Sequence, residues 1–200
     1  MCKICKKNSI NIQLGKLCYA VCDECCFLEK KSNHYLSDEL EMKRYQLHDN
    51  DGNVEYINYQ KKFAEEIKVF LGNKILDFGC GESHTLATIL NASFYDKFFY
   101  PNPKALESKY DTIILEEVIE HLKEPLEDLM RLSLILNDAG KLIIRTRLFN
   151  EETDLPNWWY LRDQTHICFF SYQTFKKICE LLNLRIIYCN DVDLIILQKV

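Results

Sequence analysis

The sequence predicts an α/β fold with a Rossmann-like doubly wound sheet, and three observations support this prediction. From residue 74 onward, short apolar runs typical of buried strands alternate with helical segments. Two apolar runs close the chain without a helix between them, which indicates an antiparallel C-terminal edge hairpin. Six of the ten cysteines lie in the first 26 residues, which hold too few apolar side chains to form a core. The sheet is therefore preceded by a small module that needs a further stabilising element, such as a metal ion or disulfides.

The chain divides into three predicted segments: residues 1–31 as the cysteine-rich module, 32–73 as a helical bridge and 74–200 as the sheet domain. Helical patterns in the bridge cover residues 37–48 and 54–71, on either side of a turn cluster at 48–52. In the second helix, apolar residues recur every three or four positions. They are Tyr56, Tyr59, Phe63, Ile67 and Phe70. We expect this face to pack on the sheet domain.

The sheet domain begins with a buried strand and alternates from there. The predicted strands are Ile75–Phe78, Ser93–Tyr95, Tyr110–Leu115, Lys141–Arg147, Arg185–Tyr188 and Leu194–Gln198. The predicted helices are Thr85–Leu90, Pro125–Leu136 and a last helix that ends at Leu182. Pro125 suits a first helical position, and Ser171 suits the N-cap of the last helix.

Composition and charge exclude several classes of protein. With 48% hydrophobic and 28% charged residues, the chain is neither disordered, collagenous nor a coiled coil. No apolar run is long enough to span a membrane, and lysines follow the first residues instead of a signal region. We therefore expect a cytoplasmic protein without a membrane partner. Residues 1–31 carry a net charge of +3 and the remainder −8, which disfavours non-specific duplex binding but leaves a basic module that could contact RNA.

The clustered cysteines have the spacing of a zinc ribbon or knuckle. Two C-x-x-C pairs are separated by sixteen residues, and each such turn presents two thiolates to one ion. The predicted ligands of a structural Zn²⁺ are Cys2, Cys5, Cys22 and Cys25. Cys18 and Cys26 are spare thiols. Disulfides would need a secretory context, and a redox pair would need a flanking βαβ unit.

The turn after the first predicted strand, Asp77-Phe-Gly-Cys-Gly, is a candidate ligand site. Gly79 and Gly81 allow backbone amides to approach a ligand closely. Acidic residues end the neighbouring strands, and the carboxyl ends of adjacent parallel strands share one crevice. The candidate binding residues of this crevice are Asp77, Gly79, Cys80, Gly81, Asp96 and Glu116. A phosphate-binding G-x-x-x-x-G-K-[ST] run is absent.

Over residues 74–200 the sequence resembles class I S-adenosylmethionine-dependent methyltransferases. Asp77, Gly79 and Gly81 match their D-x-G-x-G-x-G motif, with Ser83 in place of the last glycine. The segment 110–122 resembles their fourth motif. The resemblance implies that Asp77 and the glycine turn hold the methionine part of S-adenosylmethionine, and that Asp96 accepts the ribose hydroxyls. Only 31 residues separate Phe78 from Tyr110, so a βα unit is shortened or missing.

A wider resemblance covers most of the chain. The N-terminal cysteine pairs, the segment 95–102, the E-x-x-E-H sequence at 117–121 and the aromatic segment 159–166 together are similar to a group of small bacterial methyltransferases of unassigned substrate. This resemblance implies the fold and the cofactor but does not indicate the acceptor substrate.

A second candidate metal site lies after the Tyr110 strand. Glu117, Glu120 and His121 are spaced i, i+3 and i+4, so on a helix they would share one face, with His166 as a fourth ligand. These donors suit Mg²⁺, Mn²⁺, Fe²⁺ or Zn²⁺. The set is similar to the metal site of small-RNA 3′-terminal 2′-O-methyltransferases and, in part, to ubiquinone-pathway O-methyltransferases. A structural polar cluster is an equally weighted alternative, and without metal His166 or His121 would act as general base beside Glu117.

An aromatic segment follows the Lys141 strand, where acceptors bind in this fold. We interpret it as a substrate wall or, alternatively, as a lid packed on the bridge; its candidate substrate residues are Trp158, Trp159, Tyr160, Arg162 and Asp163. Three hypotheses of function follow. The first is methyl transfer to an oxygen of a small molecule or glycoconjugate precursor. The second is methylation of an RNA end or modified nucleotide, and the third is a non-catalytic, zinc-dependent binding or scaffold protein.

Overall fold

The computed structural model describes residues 1–47, 50 and 52–200. The predicted helix end at His48 and most of the predicted turn cluster lie outside the described residues. The bridge forms helices α1 (Asp38–Gln46) and α2 (Val54–Ile67), the latter continued by a 3-10 turn over Lys68–Phe70. The first strands of the chain are β1 (Ser9–Leu14), β2 (Leu17–Cys22) and β3 (Leu28–Lys30).

The predicted α/β fold is confirmed. The remaining elements are β4 (Ile75–Phe78), α3 (Thr85–Leu90), β5 (Ser93–Tyr95), β6 (Tyr110–Glu116), α4 (Pro125–Leu134), β7 (Leu136–Arg145), β8 (Cys168–Phe169), α5 (Tyr172–Leu182), β9 (Leu184–Cys189) and β10 (Leu194–Lys199). Six strands form one sheet in the order β5-β4-β6-β7-β10-β9. Strands β5, β4, β6 and β7 run parallel, whereas β10 pairs antiparallel with both β7 and β9. The final hairpin therefore supplies the antiparallel edge.

The shortened middle of the domain leaves β5 at the edge of this sheet. Between β5 and β6, the chain forms only a 3-10 turn over Pro103–Leu106. The crevice above β5 is therefore bordered by the loop at 96–102 instead of by a further strand.

Helices cover both faces of the sheet. Strand β6 alternates its side chains, with Ile113 and Leu115 on one face and Ile114 on the other. Helices α4 and α5 pack on the first face. On the second face, Phe63 and Ile67 of α2 pack with α3, so the predicted apolar face of the bridge does contact the sheet.

The N-terminal segment is more strongly folded into the domain than expected. Strands β1, β2 and β3 form a second sheet that ends on β8, a strand from the later part of the chain. Ile4 and Phe27 are 1% exposed and belong to the main core cluster, with the Phe27 and Phe170 rings 5.3 Å apart. The few apolar side chains of this segment therefore pack into a core that they share with the sheet domain, an arrangement that the sequence did not predict.

Two predicted boundaries also change. Strand β7 begins at Leu136 and ends at Arg145, and α4 ends at Leu134. The register with β6 jumps from Leu136 to Lys141, so residues 137–140 bulge within the strand, with Ala139 at φ +56°. Among the described residues, the helices include none long and apolar enough to span a membrane.

Candidate functional site

A cleft of about 840 Å³ opens at the carboxyl ends of β4, β5 and β6. The glycine turn after β4 and the loop after β5 form one side, and helices α1 and α2 contribute tyrosines to the other. All six predicted crevice residues line it: Asp77, Gly79, Cys80, Gly81, Asp96 and Glu116. His84 lines it as well, with its ring stacked 4.8 Å from that of Phe94.

At Gly79, the glycine turn approaches its neighbours too closely for a larger residue. Gly79 has φ +81°, and a Cβ at this position would lie 2.5 Å from Cγ2 of Val118. Its amide donates to the Tyr95 carbonyl at 2.7 Å. Gly81 has φ +65°, and its amide donates to Asp96 Oδ2 at 3.1 Å. Both oxygens of Asp96 accept backbone amides, since Oδ1 accepts those of Phe98 and Phe99. Asp96 therefore shapes the loop beside the turn, and it also lines the cleft.

Two carboxylates at the base of the cleft are short of partners. Asp77 is 3% exposed and accepts the Ala87 amide at 3.2 Å, while burial and the nearby Glu116 raise its pKa to about 8. Glu116 accepts from Gln60 Nε2 at 2.8 Å, and burial raises its pKa to about 7. Glu116 Oε1 and Gln60 Oε1 are buried without hydrogen-bond partners. This end of the cleft therefore suits a ligand that carries positive charge and N–H donors.

A second polar cluster combines Glu120, His121 and His166, whose candidate ligand atoms all lie within 4.8 Å of one another. His121 Nδ1 is 3.0 Å from the Thr165 carbonyl, and His166 Nδ1 is 2.9 Å from the Tyr160 carbonyl. Because a carbonyl only accepts, both imidazoles carry their proton on Nδ1 and leave the Nε2 lone pair for a ligand.

Burial keeps both imidazoles neutral, which is the form that binds metal. It lowers the pKa of His121 to about 3, assisted by the neighbouring His166, and it also lowers the pKa of His166. Burial and the nearby Glu117 raise the pKa of the fully buried Glu120 well above its usual value. Two neutral imidazoles and one carboxylate form a donor set suited to Fe²⁺, Mn²⁺ or Zn²⁺.

The carboxylates of this cluster need one more proton or one cation than the surrounding side chains supply. The Tyr160 hydroxyl lies 2.5 Å from Glu120 Oε1 and 3.0 Å from Glu117 Oε2, yet it has a single proton to donate. Glu120 Oε2 is buried without a partner. A divalent cation fits this unmet demand, and in its absence a shared proton would satisfy it.

The predicted geometry of the E-x-x-E-H sequence was wrong in one respect. The described residues directly after β6 form no α-helix, because Glu117 adopts φ +51° and a 3-10 turn follows over Ile119–His121. Glu117 consequently lies outside the three-residue set, exposed in the cleft, and reaches the cluster through Tyr160. Glu120, His121 and His166 still come together, because the chain folds back on the His166 segment through a tight turn and not along one face of a helix.

The predicted substrate wall lies mostly elsewhere. Asp163 lines the cleft, whereas Trp158 packs on Phe169 with ring centroids 5.8 Å apart, Trp159 is 56% exposed outside the cleft, and Arg162 is exposed. Tyr160 is buried behind Glu120. Most of the cleft's aromatic lining comes instead from the bridge and the loop after β5: Tyr45, Tyr56, Tyr59, Phe98, Phe99 and Tyr100. Phe78 and Tyr95, at the ends of β4 and β5, complete it. The three-and-four spacing of Tyr56 and Tyr59 was interpreted as packing alone, although it also marks this wall.

The four cysteines of the two C-x-x-C pairs converge. Their Sγ atoms lie within 4.8 Å of one another, with Cys2 to Cys25 at 3.6 Å and Cys5 to Cys22 at 3.4 Å. The spare Cys18 is not part of this set and donates to Gln13 Oε1. A tetrahedral Zn²⁺ is the ion that such a set of thiolates suits.

Comparison with known proteins relates most of the chain to one enzyme family. Residues 55–188 match the model of the methyltransferase domain family. A similar fold occurs in the magnesium protoporphyrin IX methyltransferase ChlM from Synechocystis PCC 6803, solved with bound SAH (TM-score 0.51, 13% identity, 84% of this chain and 97% of that chain). An O-methyltransferase family protein from Burkholderia thailandensis is also similar (TM-score 0.49, 13% identity, 78% of this chain). The match spans 61% of the Burkholderia protein. The comparison with curated proteins yields no match.

The substitution Gly79→Ala tests the tight turn. We expect S-adenosylhomocysteine affinity to fall at least roughly tenfold, because the new methyl group and the positive φ both displace the turn. The matched control is Gly15→Ala, which has φ +60° but no atom within 4 Å of the added Cβ. It should lose about 1 kcal/mol of stability and retain the affinity. Calorimetric titration measures the affinity, and unchanged binding by Gly79→Ala would contradict this assignment.

The raised pKa values of Asp77 and Glu116 predict that binding of a positively charged ligand releases protons. Both groups are partly protonated in the free protein near neutral pH and would ionise beside the ligand, so affinity for S-adenosylmethionine should rise with pH. We expect a rise of at least roughly tenfold between pH 6 and pH 8. Titrations at pH 7 in two buffers of different ionisation enthalpy report the released protons. The substitution Glu116→Gln should reduce proton release, and an affinity independent of pH would contradict the assignment.

Proposed function

This chain belongs to the methyltransferase domain family, and we propose that it transfers a methyl group from S-adenosylmethionine to an oxygen of a small molecule or glycoconjugate precursor. The observation that carries this proposal is the base of the cleft, where the buried Asp77 and a Glu116 oxygen without a hydrogen-bond partner lie beside a turn that has no room for a side chain at Gly79. When bound, S-adenosylmethionine supplies an electrophilic methyl group on a positively charged sulfur.

In this proposal, different residues of the cleft bind different parts of S-adenosylmethionine, the methyl donor. Asp77 and Glu116 bind its positively charged groups, and the backbone around Gly79, Cys80 and Gly81 contacts its methionine portion. Asp96 accepts the ribose hydroxyls with lone pairs that its backbone contacts leave available. Alignment of donor and acceptor is the main contribution that an enzyme makes to such a displacement.

We further propose that Glu120, His121 and His166 bind a divalent cation beside the acceptor. Bound there, the cation would lower the pKa of an acceptor hydroxyl. Tyr160 holds Glu120, and the Thr165 and Tyr160 carbonyls orient the two imidazoles. Glu117, which faces the cleft and contacts Tyr160, is the proposed acceptor for the hydroxyl proton. Without a cation, the Nε2 atom of His166 or His121 has the lone pair required of a general base.

The charge of the cleft favours an acceptor without phosphates near the reacting oxygen. Among the described residues that line it, Lys97 is the one lysine or arginine, and it is paired with Glu41 at 2.8 Å. Six acidic residues line the same cleft: Asp77, Glu82, Asp96, Glu116, Glu117 and Asp163. Nucleic-acid sites instead concentrate lysine and arginine on the backbone path. Aromatic walls with acidic hydrogen-bond acceptors suit a polyhydroxylated or aromatic molecule, so the RNA alternative has less support.

Calorimetric titration with S-adenosylmethionine and S-adenosylhomocysteine tests the proposed function. Binding of both compounds to the zinc-loaded protein is the expected result. Failure of both to bind would reject methyl transfer and leave the non-catalytic alternative, a binding or scaffold protein.

If the second metal site is real, substitutions of its ligands should weaken Mn²⁺ binding without weakening S-adenosylhomocysteine binding. His166→Ala and Glu120→Gln should each weaken Mn²⁺ binding by roughly 10- to 100-fold, because each removes a ligand, and should change S-adenosylhomocysteine affinity less than about twofold. Glu117→Gln should retain Mn²⁺ binding, and His34→Ala is a control outside the cleft. The electron paramagnetic resonance signal of free Mn²⁺ measures binding. Equal Mn²⁺ affinity in His166→Ala and wild type would contradict the site.

The cysteine cluster predicts one Zn²⁺ per chain. Cys25→Ser should lose the ion and much of the stability of the N-terminal sheet, because Cys25 is buried among the other three thiols. Cys18→Ser is the matched control, since this thiol lies outside the set, and it should retain the ion. Elemental analysis of purified protein gives the zinc content. Full zinc occupancy in Cys25→Ser would contradict the assignment.

A further inference from the structure

Lys30, at the end of β3, is a buried lysine in the N-terminal sheet. Its side chain is 1% exposed, and its ammonium donates to the carbonyls of Asp163 at 3.4 Å and Gln164 at 3.1 Å. Its backbone amide donates to the Ile167 carbonyl at 2.8 Å. One residue of the cysteine module therefore holds both ends of the segment 163–167.

That segment orients the histidines of the second cluster. The Thr165 carbonyl accepts from His121 Nδ1, and His166 itself belongs to the segment. The Ile167 amide donates to the Glu120 carbonyl at 2.9 Å. Strand β3, the segment and the turn that carries Glu120 are thus joined by consecutive backbone hydrogen bonds. A displacement of the segment would move the orienting carbonyl and the His166 ring together.

Stability alone does not account for an ammonium in this position. Among the described residues, none forms an ion pair with Lys30 within 4.0 Å, and burial lowers the pKa of its ammonium to about 8. An amine removed from water and given two carbonyl acceptors recovers only part of its solvation. An apolar side chain of similar length would avoid this desolvation and would lose only the hydrogen bond to the Gln164 carbonyl, since the Asp163 carbonyl also accepts the His166 amide.

We infer that Lys30 is a positioning residue that fixes the orientation of the His121 and His166 imidazoles from the cysteine module. The ammonium binds the Asp163 and Gln164 carbonyls. These two hydrogen bonds fix the direction of the next carbonyl in the chain, that of Thr165. The inference deepens the proposed function, since it rests on these imidazoles serving as ligands or bases there. It also gives the N-terminal module a role in the site beyond its own folding.

The test compares Lys30→Met and Lys30→Leu with wild type and with the control Lys31→Met, all as the full zinc-loaded chain. Lys31 is the adjacent lysine and is only half-buried. Long-range ¹H–¹⁵N spectra of the histidine side chains report which ring nitrogen carries the proton. Melting temperature, S-adenosylhomocysteine affinity and Mn²⁺ affinity are measured on the same samples.

In wild type and in Lys31→Met, we expect both imidazoles to carry the proton on Nδ1. In Lys30→Met and Lys30→Leu, the signals of His121 and His166 should move toward a mixture of tautomers, and Mn²⁺ affinity should fall roughly tenfold. The melting temperature should fall by less than about 6 °C, because the lost hydrogen bond to the Gln164 carbonyl is offset by the removed desolvation cost of the ammonium. S-adenosylhomocysteine affinity should stay within about twofold.

Two results would overturn the inference. One is unchanged histidine tautomers in both Lys30 variants. The other is a melting temperature lower by more than about 6 °C in both variants, which would make Lys30 a purely structural residue. If wild type itself binds no Mn²⁺, the proposed second metal site fails, and the tautomers still decide the role of Lys30.

Discussion

The burial of several carboxylates at one edge of the sheet is the constraint on which the site depends. Asp77 and Glu120 are almost fully buried, and Glu116 lies deep in the same cleft. Like charges that are taken out of water this close together raise one another's pKa and cannot all ionise unless positive charge arrives. Buried oxygens without partners on Glu116 and Glu120 mark the two places where that charge is missing.

This constraint gives the cleft two ends with different chemistry. At the Asp77 end, the acidic groups lie beside backbone amides in a tight turn, which suits an extended organic cation. At the Glu120 end, two neutral imidazoles with fixed tautomers lie beside a carboxylate, which suits a metal ion or general-base chemistry. Glu117 lies in the cleft between them and contacts the second cluster through Tyr160. Donor and acceptor would therefore meet where the two ends adjoin.

Much of the fold could be predicted from the sequence because strong local patterns determine it. Strand β4 and helix α3 have the predicted bounds, since an apolar run, two glycines and a short helical pattern follow one another directly. The N-terminal strands could not be predicted. Strand β1 contains several polar residues, and the two-residue strand β8 pairs with β3, which is far away in the sequence. The candidate cofactor residues could be selected because they lie at or just after the carboxyl ends of predicted strands, and the structure places them in one cleft. The aromatic lining of the cleft was missed, because Tyr45, Phe98 and Phe99 reach it only through tertiary packing.

A crystal structure grown with S-adenosylhomocysteine and Mn²⁺ tests the central claim most directly. The account predicts S-adenosylhomocysteine against the Gly79 turn, with its ammonium near Asp77 or Glu116. It also predicts an anomalous Mn²⁺ peak bound by Glu120, His121 and His166 in the same cleft. A structure with S-adenosylhomocysteine bound away from the turn, or with the Mn²⁺ peak away from these three residues, would contradict the claim that one acidic cleft holds both groups.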